Sequence, residues 1–290
     1  MFYEIAIADA YGQAFEFIKN PKEFGLKNQL VDDRLVFQQN PKYPDLHKGW
    51  FTDDTIRSIC CRRMMLNYRY PDLLNIENHF ESIVNNFWEF YRKGWSGRFQ
   101  KFLEENQQYP ITDYYYKIVR KNTNGAVMGI LPFGYFKEIH EVKNVSAIHA
   151  FSTHSHETIP YAQALALCVW FLRNNTDEDS ISKLRNFLED NVEGLYFFLG
   201  DANKMTAGDT FNVVVRQIEK AYLKDFTMEQ LIVDCVNLGG DTDSICALCA
   251  GVYSHSQFYK KYSGNFVENH VDKIENGDSH GLRILTTLEE

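Results

Sequence analysis

The sequence predicts an all-α fold, and three observations carry that prediction. Apolar residues recur at i, i+3, i+4 and i+7 through most of the chain. No regular series of alternating strands interrupts them, and only 17 glycines and 7 prolines punctuate 290 residues. The recurrence is that of helices with one buried face, and scarce punctuation leaves such helices long.

The elements follow in chain order. Helical patterns cover about Glu4–Phe17, then Ile56, Ile59 and Cys60 on to Leu66, then Ile76, Phe80, Ile83, Val84, Phe87, Trp88 and Tyr91. Thr112–Arg120 is helical and 125–151 is mixed. Pro160–Leu172 follows, its run from Tyr161 to Leu172 near-apolar but too short to span a bilayer, which suits a buried helix. Ile181, Leu184, Phe187 and Leu188 trace the next; Phe211, Val214, Val215, Ile218 and Tyr222 another; Met228–Asn237 and Asp243–Tyr253 complete the series. Ten or more helices are expected. Residues 21–49 lack the period and hold Asn-Pro at 20–21 and 40–41 with Pro44, so an ordered loop is expected there. Loops longer than about 12–15 residues are often functional lids. With no composition break, linker or repeat, 1–290 reads as a single domain.

Composition excludes some classes of function. Lys plus Arg is 30 and Asp plus Glu 39, a formal net charge of −9. That acid excess argues against a general nucleic-acid binder and against a basic membrane-surface protein. Hydrophobic content of 44% and aromatic content of 15% suit a packed core. The N-terminus lacks a secretory pattern and the six cysteines lack a disulfide framework, so a cytoplasmic location is expected. A monomer is expected.

Two acidic clusters stand immediately before helices: Thr52-Asp53-Asp54-Thr55 and Gly239-Gly240-Asp241-Thr242-Asp243-Ser244. Helix capping explains either one alone. Capping needs a single oxygen, however, and four acids brought together would repel unless a cation neutralised them. All-oxygen donors with no nearby Cys or His favour Mg²⁺ or Mn²⁺ over Zn²⁺. The paired glycines allow a sharp turn and a close approach.

These residues resemble the two metal signatures of the ADP-ribosylglycohydrolases: Gly49-Trp50-Phe51-Thr52-Asp53-Asp54-Thr55 and Asn237-Leu238-Gly239-Gly240-Asp241-Thr242-Asp243-Ser244-Ile245. Ala8-Asp9-Ala10-Tyr11-Gly12 through Glu16 is similar to that family's N-terminal element, Asn124-Gly125-Ala126-Val127-Met128 to its ribose loop, and Thr153-His154 to its Thr-His element. The match spans about residues 5 to 253. The resemblance implies an orthogonal multi-helix bundle with two Mg²⁺ or Mn²⁺ ions, held by Thr52, Asp53 and Asp54 on one side and Asp241, Asp243 and Ser244 on the other. It implies Glu16, Asp54 and Asp243 as catalytic residues, with Asn124, Gly125, Ala126, Val127, Met128 and His154 around the ribose. The implied activity is hydrolysis of the N- or O-glycosidic bond joining ADP-ribose to a protein or small acceptor.

Departures from the pattern include Ala8 for glycine, Ser244 for threonine, Val127 enlarging the ribose loop, and Gly129 where many relatives carry arginine. The change at 129 bears on the substrate more than on the chemistry. An inactive ADP-ribose-binding or immunity-type blocking protein on the same fold is the main alternative, and a dinuclear phosphohydrolase a further one. His154-x-His156 reads poorly as a transition-metal pair without a third ligand. Cys246 and Cys249 read as buried thiols, and Phe133, Tyr135 and Phe136 as aromatic core before an adenine platform. Asp9, two turns before Glu16, reads as a supporting residue on the same helix face.

Overall fold

Helices carry nearly all of the regular structure in the computed structural model, which describes residues 1–88, 99–101, 103–104, 121–263, 265–274 and 285. Helix α1 (Phe2–Gly12) is buried at every position but Tyr3, as expected of a helix apolar on all sides. After a 3₁₀ turn at Gln13–Phe15 and another at Pro21–Phe24 comes a small antiparallel hairpin, β1 (Leu30–Val31) with β2 (Arg34–Leu35). Asp32 and Asp33 make its turn with φ of 49° and 59°, the left-handed values a two-residue hairpin loop requires.

Then follow α2 (Asp53–Asn67), α3 (Tyr70–Leu73) and α4 (Ile76–Trp88). Two 3₁₀ turns, Asn124–Ala126 and Leu131–Tyr135, lead to α5 (Ile139–Thr153), α6 (Ile159–Asn174) and α7 (Ser180–Asn191). The chain continues through α8 (Ala207–Leu223), α9 (Met228–Val236), α10 (Thr242–Tyr253), α11 (Gln257–Tyr262) and α12 (Phe266–His270).

The most extensive packing joins α1 to α10 along their length, with α2 against α1 and with α8 and α9 against α10. Close approach is written into the sequence at Gly12. A Cβ there would stand 2.6 Å from the Thr242 carbonyl oxygen and 2.8 Å from Asp243 Cα. Both elements that the acidic clusters precede therefore touch α1. No helix among the described residues is long and apolar enough to cross a membrane.

The periodic segments became helices, with differences at their ends. The first helix stops at Gly12, so Glu16 follows a 3₁₀ turn, in an extended conformation, instead of sharing a helix face with Asp9. The predicted helix at Thr112–Arg120 and the end of the 76–91 helix lie outside the described residues. The 125–151 stretch divides into 3₁₀ turns and α5. Residues 21–49 carry the hairpin and are tied down at several points. Tyr11 donates to Asn28 (2.9 Å), Asn28 donates to the Val233 carbonyl (2.8 Å), Leu35 N–H donates to His270 Nε2 (3.0 Å) and Asn40 donates to the Gln13 carbonyl (2.7 Å). Periodicity could not reveal this anchoring, because it depends on single polar side chains meeting distant backbone.

Candidate active site

Thr52 caps α2: its extended backbone and side-chain oxygen sit where the first helical N–H groups need an acceptor. What holds the cap is Asp9. Its carboxylate accepts from Thr52 N–H (2.8 Å), the Thr52 hydroxyl (2.8 Å), Thr55 N–H (3.1 Å) and the Thr55 hydroxyl (2.6 Å). Four donors would lower its pKa, yet complete burial wins and pushes it up to about 6.

The second cluster reaches the same place through two left-handed residues, Gly239 (φ 70°) and Gly240 (φ 76°). A side chain at Gly240 would overlap the Ala202 carbonyl, while Asp241 N–H donates to that same carbonyl at 3.3 Å. The Thr242 hydroxyl donates to the Gly12 carbonyl at 2.8 Å, fixing the start of α10 on the end of α1.

The two clusters meet. The Ser244 hydroxyl donates to Asp54 Oδ2 at 3.1 Å, across 190 residues, and the Thr52 hydroxyl oxygen lies 3.5 Å from Asp243 Oδ2. Glu16, Asp241 and Asp243 each present a carboxylate oxygen within 4.8 Å of the others. Phe17, left-handed at φ 53°, donates its N–H to the Gly240 carbonyl at 2.8 Å, which seats Glu16 beside the second cluster.

The electrostatics of this arrangement are unfavourable for acids alone. Burial, then Asp241, Asp53 and Asp9, push Glu16 up to about 8, with Lys42 opposing. Burial with neighbouring carboxylates raises Asp54 and Asp243 well above the usual range. Asp53 is raised by burial, and Arg57 works against the shift. Asp54 Oδ1 is buried with no hydrogen-bond partner. Buried carboxylates that repel, an orphaned oxygen and all-oxygen donors fit a hard divalent cation. The N-termini of α2 and α10 also converge here, which favours anionic oxygens but cannot neutralise so many.

The ribose-loop residues lie alongside. Asn124 is buried and donates to Asp241, linking the loop to the second cluster. Gly125 and Met128 are half-buried, and Ala126 is buried. Val127 is fully buried, so its side chain packs into the core. His154 is held by Thr153 Oγ1 at 2.7 Å from Nδ1, and its Nε2 abuts Gly125. His156 is exposed, apart from that imidazole in burial. Phe133 is in the core against His79 and His149, and Cys246 and Cys249 are buried.

Sequence reasoning passed over two features. Arg57, four residues after Asp53 and so on the same helix face, donates Nε to Asp53 Oδ2 at 3.2 Å. The i, i+4 Asp-Arg spacing was the available signal. The second is a buried chain: Cys61, His149 and His79, with Sγ 3.6 Å from His149 Nε2 and His149 Nδ1 3.2 Å from His79 Nε2. His79 Nδ1 faces the Leu73 carbonyl at 3.1 Å, which only accepts, so that nitrogen carries the proton. Burial lowers His79 to about 4 and holds His149 well below the ordinary value, so both rings are neutral at pH 7. Each ring then donates through Nδ1 and accepts through Nε2, and the Cys61 thiol donates to His149.

Comparisons with known proteins identify the family and the fold. The family profile of the ADP-ribosylglycohydrolases matches residues 5–254. A solved structure described as an "ADP-ribosylglycohydrolase-related protein complex" superposes with a TM-score of 0.66 at 16% identity, covering 99% of this chain and 94% of that one. A direct search of curated proteins finds no match. The fold is the all-α glycohydrolase bundle, and the chain belongs to the ADP-ribosylglycohydrolase family.

Proposed function

We propose that this chain hydrolyses the glycosidic bond linking ADP-ribose to an acceptor, in a reaction dependent on Mg²⁺ or Mn²⁺. The observation that carries the reading is the convergence of Thr52–Asp54 with Asp241–Ser244 and Glu16 on one buried acidic centre. Thr52, Asp53, Asp54, Asp241, Asp243 and Ser244 would hold two ions. Bound there, such ions supply charge to hold the ribose diol and lower the pKa of water beside the anomeric carbon.

The remaining work falls to the chain's own residues. The loop from Asn124 to Met128, anchored in the core by Ala126 and Val127, orients the sugar together with His154, which restricts it to the reactive geometry. Glu16, half-buried among acids, is a carboxyl able to exchange a proton near neutral pH, as acid or base at the breaking bond. Asp9 holds no substrate; it fixes Thr52, and with it the first cluster. The segment 40–43 stands over Glu16: Asn40 reaches the Glu16 carbonyl at 3.4 Å, and burial, then Glu16, Asp243 and Asp241, raise Tyr43. We assign 21–49 as a lid or specificity loop beside this centre.

Glu16 beside the acid set favours hydrolysis over silent binding, because a carboxyl raised to about 8 can move a proton at the breaking bond, which binding alone does not require. Incubation with arginine- and serine-linked ADP-ribosyl substrates, with and without chelator, tests it. Metal-dependent release of ADP-ribose is expected; tight ADP-ribose binding with no release from any linkage would favour the inactive binder.

A further inference from the structure

Arg57 touches both halves of the ligand site at once. Its Nε donates to Asp53 in the first acidic cluster, and its Nη1 donates to the Gly125 carbonyl at 3.2 Å, across 68 residues. The guanidinium lies 4.7 Å from the centre of the Phe99 ring, which covers one face, and the residue is only 8% exposed. The far end of the loop also rests on this residue. A Cβ at Gly129 would stand 2.7 Å from Arg57 Cβ, 2.8 Å from its carbonyl carbon and 2.9 Å from its carbonyl oxygen. The loop is thus pinned to one residue twice, by a hydrogen bond at 125 and by direct contact at 129.

We propose that Arg57 is a positioning residue that locks the 124–130 loop to the first acidic cluster and thereby sets the loop's reach toward ribose. The ligand's identity rests on the hydrolase reading; the mechanical role does not. A planar fork can serve two acceptors lying in different directions, which a lysine ammonium on a single stem does poorly. Asp53 accepts from Arg57 through Oδ2, so the guanidinium and a divalent ion would compete for that carboxylate. Loss of Arg57 accordingly has effects of opposite sign: a looser loop and weaker ribose binding, with a carboxylate freed for the cation.

The test compares wild type with Arg57→Lys and Arg57→Met. Amide exchange of the loop is followed at Ala126, Val127, Met128 and Ile130, whose N–H groups bond to the Thr123, Asn124 and Val127 carbonyls. Mn²⁺ binding is followed by electron paramagnetic resonance, ADP-ribose binding by calorimetry, and folding by circular dichroism. Both variants are expected to speed loop exchange about tenfold or more and to weaken ADP-ribose about tenfold. Mn²⁺ binding tightens in Arg57→Met, where the charge is gone, and stays near wild type in Arg57→Lys. Loop exchange unchanged in folded variants, or Mn²⁺ and ADP-ribose weakening together in Arg57→Met, overturns the proposal. Where Arg57→Met fails to fold, loop exchange in Arg57→Lys decides. Wild type that binds neither Mn²⁺ nor ADP-ribose defeats the hydrolase reading, while loop exchange still settles the part played by Arg57.

Discussion

Thr52 gives both its backbone N–H and its hydroxyl to the Asp9 carboxylate, each at 2.8 Å. One carboxylate on α1 thus sets the position of the first acidic cluster, and the same helix supports the second through the Gly12 carbonyl. The acids are held by a frame that bonds to hydroxyls and backbone, leaving the neighbouring carboxylates turned toward one another.

Asp9→Ala strips four buried donors of their acceptor. A loss of about 2–4 kcal/mol in unfolding free energy is expected, since unsatisfied buried donors carry their full desolvation cost. Urea denaturation measures it. A variant as stable as wild type would mean the cap is held by something other than Asp9.

Asp243→Asn should act in opposite directions with and without cation. Asp243 is raised by burial and by Glu16, Asp241 and Asp54, so its charge opposes folding near pH 8 when no cation is present. The metal-free variant is expected to gain on the order of 1 kcal/mol there, while the rise in melting temperature on adding Mg²⁺ shrinks or vanishes. Equal Mg²⁺ stabilisation in both proteins would remove Asp243 from the ligand set.

The stability of the metal-free protein should fall as pH rises through neutrality. Asp9 rises from 3.8 to about 6 and Glu16 from 4.5 to about 8 on folding. A raised folded value means the unfolded chain releases its proton first. The contribution is full below about pH 4 and is lost as pH climbs through 6 and then 8. Urea midpoints from pH 5 to 9 should decline without Mg²⁺ and flatten with it. A metal-free midpoint that increases across pH 6–8 contradicts the assignment.

Gly12→Ala places a methyl against the start of α10, 2.6 Å from the Thr242 carbonyl oxygen. Forcing α1 and α10 apart should cost about 1–3 kcal/mol and weaken Mn²⁺ binding, because Thr242 adjoins Asp241 and Asp243. A neutral substitution would show that the two helices tolerate a wider spacing.

Much of this was legible in the sequence, for identifiable reasons. Helices such as Ile76–Trp88 and Ala207–Leu223 announce themselves because burial on one face imposes a period. The clusters at 52–55 and 239–244 stood out because two helix starts carried more carboxylates than capping uses. What the sequence hid was specific partnership. The break after Gly12 moved Glu16 off the helix, and the burial of Val127 depended on packing from other elements. Arg57 drew no notice in the sequence because one of its partners, Gly125, lies 68 residues along the chain.

The central claim is that the two acidic clusters bind divalent cations jointly. Calorimetric titration of metal-free protein with Mn²⁺, repeated on Asp54→Ala and Asp241→Ala, tests it most directly. Saturable binding by wild type is expected, weakened about tenfold or more by either substitution, because each removes a donor from a shared site. A wild type that takes up no Mn²⁺, or variants that bind it as wild type does, would contradict the account.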